Sequence, residues 1–461
     1  MKRDQQFRYI TLAKALRDQI MTGYIQPGQF LLSENELCRH YGLSRTSVRK
    51  ALDQLQEEGL IVKRVGQGTI VSPDLVISDI NPTTTLRILA TSPSYFADYA
   101  LPIIEQEFKR RMPHVDVRIM SLPNQSFHHW FETSRELGFK PDLLFVSDKQ
   151  YHELQTENSS EFLPLEPVIK DSLAVVYPRL LQGFGGDNAL AAPVSFSPIY
   201  LAYNPEMFRR FDAPLPRSGW SLEEFYTAAH ALTRDTDGNG IMDTYGIALS
   251  SAMTRWPAIA MRNGIRFQVD DDSGSLQKSL TAIHDMLFRE RIATLVGSSW
   301  LNTEVFIREK TGMVLTTAFE QSTWKQRGIS FDPLIASMPF GDDPSSLLIA
   351  NAFMIPQDSE NHELAMQFLS TALSENTQMK IGQSNVFLSV LPSVNEFLLS
   401  KEDVQTLGLS GSTLDSSLFL HEMLPDLEDT EELERQMALF WVGLESADQL
   451  ASRLQDIIHQ R

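Results

Sequence analysis

The chain has 461 residues, 42% hydrophobic and 21% charged. That is room for roughly three domains of about 150 residues, and the proportions exclude wholesale disorder. A single cysteine, Cys38, excludes an internal disulfide framework and a multi-cysteine zinc site. No apolar run approaches the ~18 residues of a membrane span. The net charge of −19 is unevenly spread: residues 1–73 hold 11 Lys+Arg and 7 Asp+Glu, for +4, and the remainder carries −23. A small basic head on a large acidic body is the footprint of a nucleic-acid-binding module joined to something that does not bind nucleic acid. The basic start, MKRDQQFRYI, is followed by neither an apolar stretch nor a small-residue cleavage site, so no secretory signal is expected and the protein is placed in the cytoplasm.

In chain order, Leu12, Ala15, Leu16 and Ile20 repeat at helical spacing and predict a helix over 8–22, closed by Gly23 and the Pro27-Gly28 turn. Ser33 followed by Glu36 has capping-box spacing and opens a short helix to about Tyr41. After the Gly42-Leu43-Ser44 turn, a helix over about 45–58 has the apolar stripe Val48, Ala51, Leu52 and Leu55 and stops at Gly59. Short β runs at 60–62 and 69–71 flank Gly66-Gln67-Gly68. Helix, helix-turn-helix and β-hairpin make a winged helix over 1–73. The stretch 72–85 holds two prolines and small polar residues, so 74–85 read as a linker and 86–461 as the body. In the body, LRILA from Leu86 and PDLLFV at 141–146 are strands, with helices at about 97–112 and 125–137 between them. This alternation predicts an α/β body with a largely parallel sheet, becoming mainly helical after about 350. The acidic stretch 424–435 reads as a solvated helix start.

The helix over 45–58 needs its N-terminal residues at base edges while its other face packs. Arg45 and Arg49, at i and i+4, lie opposite the apolar stripe, and Arg reads guanine O6 and N7 bidentately. Thr46, Ser47 and Lys50 are placed for phosphates, beside the helix N-terminal amides. In the wing, Gly66 and Gly68 allow close backbone approach to the minor groove, with Lys63, Arg64 and Gln67 beside them. These arginines would otherwise be ordinary helix-surface charges. Cys38 reads as a packing residue, since a lone thiol has no resolving partner.

This head resembles the N-terminal domain of GntR-family transcription regulators, on Gly23, Pro27-Gly28, Ser33-Glu34, Glu36-Leu37, Tyr41 to Arg45, Val48 to Leu52, Leu55, Gly59-Leu60 and Gly66 to Thr69. Leu32 departs from the family, which commonly has proline there. The resemblance implies a homodimer on a short inverted repeat of double-stranded DNA.

The body shows no pyridoxal-phosphate lysine segment, no Gly-x-Ser-x-Gly elbow, no P-loop and no His-Glu-x-x-His, so no catalytic residue is assigned and no cofactor is required. It is similar to extracellular solute-binding proteins of the carbohydrate ABC-transporter type. The similarity rests on Pro193-Val194, Tyr200 to Asn204, Met207-Phe208, Pro216, Trp220 to Phe225, Leu232-Thr233, Asp235 to Gly240, Tyr245-Gly246, Lys310 to Met313 and Leu391 to Ser393. It implies two α/β lobes around a ligand cleft that closes like a hinge. Joined to a DNA-binding head, that cleft becomes a sensor, with a sugar or oligosaccharide as the expected effector. Rival readings are a non-sugar ligand, a body serving only dimerisation or protein interaction, and a carbohydrate-active enzyme.

Ligands of open α/β sheets sit beyond the carboxyl ends of strands, which points to Tyr95, Asp148, Glu320 and Trp324. Trp256, Trp300 and Trp324 are candidate platforms for apolar sugar faces, against the alternative of core packing. Trp220 reads as structural. Asp235, Asp237, Asn239 and Asp243, with the Ile241 carbonyl and Gly240, have the spacing of a calcium loop. Its twelfth position is Gly246 instead of a bidentate glutamate. The segment is either a weak structural calcium site or an Asp/Asn/Gly turn closed by its own side chains.

Overall fold

The structure, a computed structural model, describes residues 2–21, 25–41, 43–64, 68–75, 84–123, 129, 131–132, 134, 139–268, 271–297, 299–384 and 387–459. It divides into two compact units. The first comprises residues 1–174, 184–194 and 351–381; the second 175–183, 195–350 and 382–461. The fold is mixed α/β, with a winged helix at the N-terminus. Among the described residues no helix is long and apolar enough to cross a membrane.

The first unit opens with α1 (Lys2–Met21), α2 (Glu34–Tyr41) and α3 (Arg45–Glu57), then β1 (Ile61–Arg64) and β2 (Gly68–Val71). Helix α1 begins earlier than its apolar spacing predicts. The Ser33 capping box forms: Glu36 accepts from the Ser33 backbone N–H at 2.8 Å, and Ser33 Oγ accepts from the Glu36 N–H at 3.4 Å. Ser44 caps α3 by accepting from the Ser47 N–H. Gly59, at φ 76°, follows the end of α3 in the left-handed region that glycine adopts without a Cβ clash. Leu12, Leu16, Ile20, Val48, Leu52 and Leu55 converge in one buried core, against which Cys38 packs half-buried. Strands β1 and β2 pair antiparallel, with Arg64 opposite Gly68.

The same unit continues with β3 (Thr85–Ser92), α4 (Tyr95–Tyr99), α5 (Leu101–Arg111), β4 (Asp116–Pro123), β5 (Leu143–Ser147) and α6 (Asp148–Asn158). The single helix expected over 97–112 is two: α4 ends at Ala100, and Pro102 at the start of α5 cannot extend the preceding turn. The helix expected near 125–137 falls largely outside the described residues. Strand β3 is central and parallel to both β4 and β5, while residues 351–354 pair antiparallel with β5. Strand β4 ends the sheet.

In the second unit, β7 (Tyr200–Tyr203) follows β6 (Ala191–Pro198), whose first half belongs to the first unit. β8 (Tyr245–Ser250), β9 (Ala293–Val296), β10 (Thr311–Thr316) and β11 (Leu334–Ala336) complete a sheet of order β11-β7-β10-β8-β9. Strands β8, β9 and β10 are parallel; β7 runs antiparallel to β10 and β11. The sheets are therefore mixed, because strands that follow a crossing between units re-enter reversed. Among the described residues beyond the Leu347–Met354 strand the named elements are helices apart from Leu418–Phe419, and the acidic stretch forms the Leu427–Gln436 helix. Trp220 is 4% exposed and donates through Nε1 to the Ser337 carbonyl at 2.7 Å, the structural role expected of it.

Candidate nucleic-acid interface and effector pocket

The exposed face of α3 carries Arg45, Thr46, Arg49 and Lys50, while Val48, Ala51, Leu52 and Leu55 bury the opposite face. Arg49 Nε lies 2.8 Å from Glu34 Oε2, a pair joining α3 to the start of α2. Lys50 Nζ sits over the Tyr9 ring, 5.8 Å from its centroid. Arg45 has no ion-pair partner among the described residues. Ser47 corrects the expectation of a phosphate contact. It is 2% exposed, and its Oγ lies 3.0 Å from Ser44 Oγ. It stands four residues before Ala51 on the buried face of α3, and the Ser44 hydroxyl beside it is engaged in the helix cap. In the wing, Arg64 and Gly68 are exposed and Lys63 pairs with Asp53 at 2.5 Å. Gly66 and Gln67 lie outside the described residues.

In the second unit, Thr317 caps the Ala318–Arg327 helix at the carboxyl end of β10. Glu320, one of the expected ligand contacts, is 6% exposed. One oxygen pairs with Arg255 at 2.9 Å and the other accepts from Thr316 Oγ1 at 2.8 Å. A carboxylate so occupied holds the helix start and offers a ligand little, which corrects that expectation. Trp256 is likewise corrected: it is 1% exposed and meets Phe267 edge-on, with centroids 5.6 Å apart. Trp324 is 1% exposed and leans on Phe306 at 5.1 Å, yet it also forms part of a cavity wall. The indole N–H groups of Trp256 and Trp324 have no hydrogen-bond partner among the described residues. The side chain of Trp300 lies outside what the structure describes.

That cavity, about 670 Å³, lies within the second unit. Tyr200, Gln321, Lys325, Phe331, Phe387 and Asn395 contribute to its wall. The Tyr200 hydroxyl donates to Gln321 Oε1, and burial, reinforced by the nearby Glu320 charge, pushes its pKa well above the usual tyrosine range. Asn395 is fixed by the Ser389 backbone: its Oδ1 accepts from that N–H at 2.9 Å, and its Nδ2 donates to that carbonyl at 2.7 Å. None of these residues was expected to touch a ligand, although Tyr200 lies in a stretch that carries the family resemblance. Their signal is the i, i+4 pair Gln321 and Lys325 beside Trp324, but the segment 387–395 is joined to it only by folding. In the first unit, Tyr95 is half-buried in the first turn of α4, and Asp148 is 7% exposed at the start of α6. Both stand just past the carboxyl ends of β3 and β5, as expected.

In the acidic loop, Asp235, Asp237 and Asp243 each offer an oxygen within 4.8 Å of the others. Asp235 accepts the backbone N–H groups of Gly238, Asn239 and Gly240 at 2.8, 3.2 and 2.7 Å. Thr236 donates its N–H and hydroxyl to Asp243. The Gly240 N–H above all holds the Asp235 carboxyl below the usual range, and Thr236 does the same for Asp243. Asn239 Oδ1 accepts from the Ile241 N–H at 2.8 Å. Gly246, where a calcium loop would carry glutamate, has a packing reason. A Cβ there would lie 2.5 Å from Ala229 Cβ, because β8 lies tight against the Leu222–Leu232 helix.

Residues 8–71 match the family described as bacterial regulatory proteins, gntR family, and residues 93–379 match the bacterial extracellular solute-binding proteins. The head is 39% identical over 71 residues, 15% of this chain, to a probable fructoselysine utilization operon transcriptional repressor of Escherichia coli. It is 33% identical over 97 residues, 21% of the chain, to an arabinose metabolism transcriptional repressor of Geobacillus stearothermophilus. These matches span 29% and 26% of the relatives' own lengths. Among solved structures, a Thermotoga lettingae ABC-transporter solute-binding protein bound with α-D-tagatose superposes with a TM-score of 0.68 at 16% identity, over 82% of this chain and 99% of that one. The GacH receptor of Streptomyces glaucescens, solved unliganded and with acarbose, gives 0.67 at 18% identity, over 82% and 98%.

Proposed function

We propose that this chain, which belongs to the bacterial extracellular solute-binding protein family and carries a gntR-family regulatory domain at its N-terminus, is a cytoplasmic transcription regulator that senses a sugar or short oligosaccharide. The observation that carries the sugar reading is the cavity of the second unit. Its volume suits a small ligand, and its wall combines aromatic and aliphatic side chains with amide, ammonium and hydroxyl groups. Sugars present both hydroxyls and apolar C–H faces, so such a wall suits them. The matched repressors act on sugar metabolism, and the superposed binding proteins hold saccharides, which supports the same choice. In the first unit, Tyr95 and Asp148 stay candidate effector contacts on the strength of their places just past the carboxyl ends of β3 and β5.

In this reading the head binds an operator with short inverted symmetry as a homodimer. Arg45 and Arg49 read bases, and Thr46, Lys50 and Arg64 contact phosphates. Effector binding relieves repression, and by linkage DNA alters effector affinity by the same factor. The body binds and does not catalyse. Calcium in the Asp235–Asp243 loop would be structural, held by Asp235, Asp237, Asn239, Asp243 and the Ile241 carbonyl.

The test is a thermal-shift screen of the full chain against mono- and oligosaccharides, with amino acids and peptides as controls. A bound ligand at a hundredfold excess over its dissociation constant adds about 2.7 kcal/mol. A saccharide that raises the Tm and weakens operator binding is the expected result. A shift with the controls alone would replace the ligand class, and no shift with any compound would sink the sensor reading.

A further inference from the structure

Among the described residues strand β4 ends the first unit's sheet, with no neighbouring strand on its outward side. Helix α1 of the winged helix lies along this edge. Gln19, 5% exposed near the end of α1, donates Nε2 to the Ser121 carbonyl of β4 at 3.2 Å. The same amide reaches Tyr41 Oη at 3.4 Å, linking the contact to α2 of the helix-turn-helix. Five residues earlier on α1, the charge of exposed Lys14 acts on the Asp98 carboxyl of α4 without forming an ion pair with it among the described residues. A buried glutamine on a helix is costly unless both ends of its amide are used, and here one end is spent on the sheet edge.

Helix α4 makes this contact informative. It is five residues long and follows directly from the carboxyl end of β3. It carries Tyr95, a candidate effector contact, and Asp98, on which the charge of the head's Lys14 acts. The two are three residues apart and therefore lie on neighbouring positions of one helical turn. A shift of α4 imposed at Tyr95 is a shift at Asp98.

We propose that β4 forms a docking seat for α1, so that the DNA-reading head travels as one body with the first lobe, and that the Gln19–Ser121 contact is the link through which effector occupancy reaches the head. The coupling half of this rests on the sensor reading; the docking half does not. Free heads on flexible linkers would gain nothing from motion of the body. A head seated on one lobe is re-aimed whenever that lobe moves.

The experiment uses the full chain with Gln19→Glu, which sets a carboxylate against the Ser121 carbonyl, and Asp98→Arg, which sets like charge against Lys14 from the lobe side and leaves the head's own residues intact. Docking is read by hydrogen exchange without effector. Both variants are expected to speed exchange of the 117–122 amides and of α1 by about tenfold, with the β8 and β10 amides unchanged. Coupling is read by operator binding with and without the saccharide from the screen. In the parent an effector response of about tenfold is expected, falling to about onefold in both variants, each still showing the saccharide's thermal shift. Parent-like exchange in both variants overturns docking. Lost docking with a parent-like effector response overturns transmission through this seat. Silence of every saccharide removes the sensor reading and the coupling half with it, while the exchange result still decides docking.

Discussion

Arg49, the central base-reading candidate, is held 2.8 Å from Glu34 at the head of the neighbouring helix. The pair is largely exposed, with side-chain accessibilities of 62% and 35%, so it contributes only about 0–1 kcal/mol and yields readily to a guanine edge. It also keeps the guanidinium extended from α3 and taxes binding to any site that offers nothing better. Glu34→Gln should therefore tighten non-specific DNA binding by about fivefold or less and narrow the specificity ratio. Arg49→Ala should lose about 1–3 kcal/mol of operator discrimination without unfolding the head. Fluorescence anisotropy on operator and scrambled duplexes checks both. Full sequence-specific binding by folded Arg49→Ala would remove the assignment.

The head's small core concentrates its stability. Leu55 is fully buried between α1, α3 and β1, so Leu55→Ala should cost about 2–5 kcal/mol. Denaturant unfolding followed by a head-specific probe, together with loss of operator binding at unchanged effector affinity, is the expected pattern.

Within the effector pocket, stability and binding separate by residue. Lys325 is exposed on the wall, and Lys325→Ala should weaken saccharide binding by about tenfold, the loss of one hydrogen bond from a charged donor, at unchanged Tm. Trp324→Ala empties a fully buried site and should destabilise the chain by about 3–5 kcal/mol, so its effect on affinity is read only after correction for folding. Isothermal titration beside thermal melts distinguishes the two.

Burial raises the Asp98 carboxyl from 3.8 to about 6, with Lys14 opposing. The folded state thus holds this proton more tightly than the unfolded chain. The stability linked to it is fully present below about pH 4 and is lost as pH rises through about 6. Moving from about pH 5 to about pH 7.5 should loosen this region, and Asp98→Asn, neutral throughout, should flatten that part of the profile. Exchange of α1 amides at the two pH values is the measurement; an identical slope in Asp98→Asn would discard the assignment.

For the Asp235–Asp243 loop, calcium should raise the Tm of the parent but not of Asp237→Asn. Without metal, the N–H groups around Asp235 keep the turn formed. Equal melting with calcium and with chelator would leave the loop to its own hydrogen bonds.

The winged helix was legible from sequence because its determinants are local. Ser33 and Glu36, Ser44 and Ser47, and the stripe Val48 to Leu55 act within a few residues of each other, and helical periodicity places Arg45 and Arg49 outward without further information. The strand and helix alternation of the body and the structural place of Trp220 were also readable. The same helical periodicity puts Ser47 four residues before Ala51 and eight before Leu55, so it packs inward while Thr46 stays exposed, and the expected phosphate contact of Ser47 fails on that ground. Composition marks a tryptophan as able to stack, but whether its face is open depends on what the tertiary fold sets against it, Phe267 for Trp256 and Phe306 for Trp324. The glycine at the twelfth loop position was read as a missing ligand, yet Ala229, seventeen residues upstream, is what excludes a side chain there. The contact of Gln19 with Ser121 spans about a hundred residues and depends on β4 being the sheet edge. Local periodicity is written in the chain; which surfaces meet is decided by burial and hydrogen-bond completion summed over the whole fold.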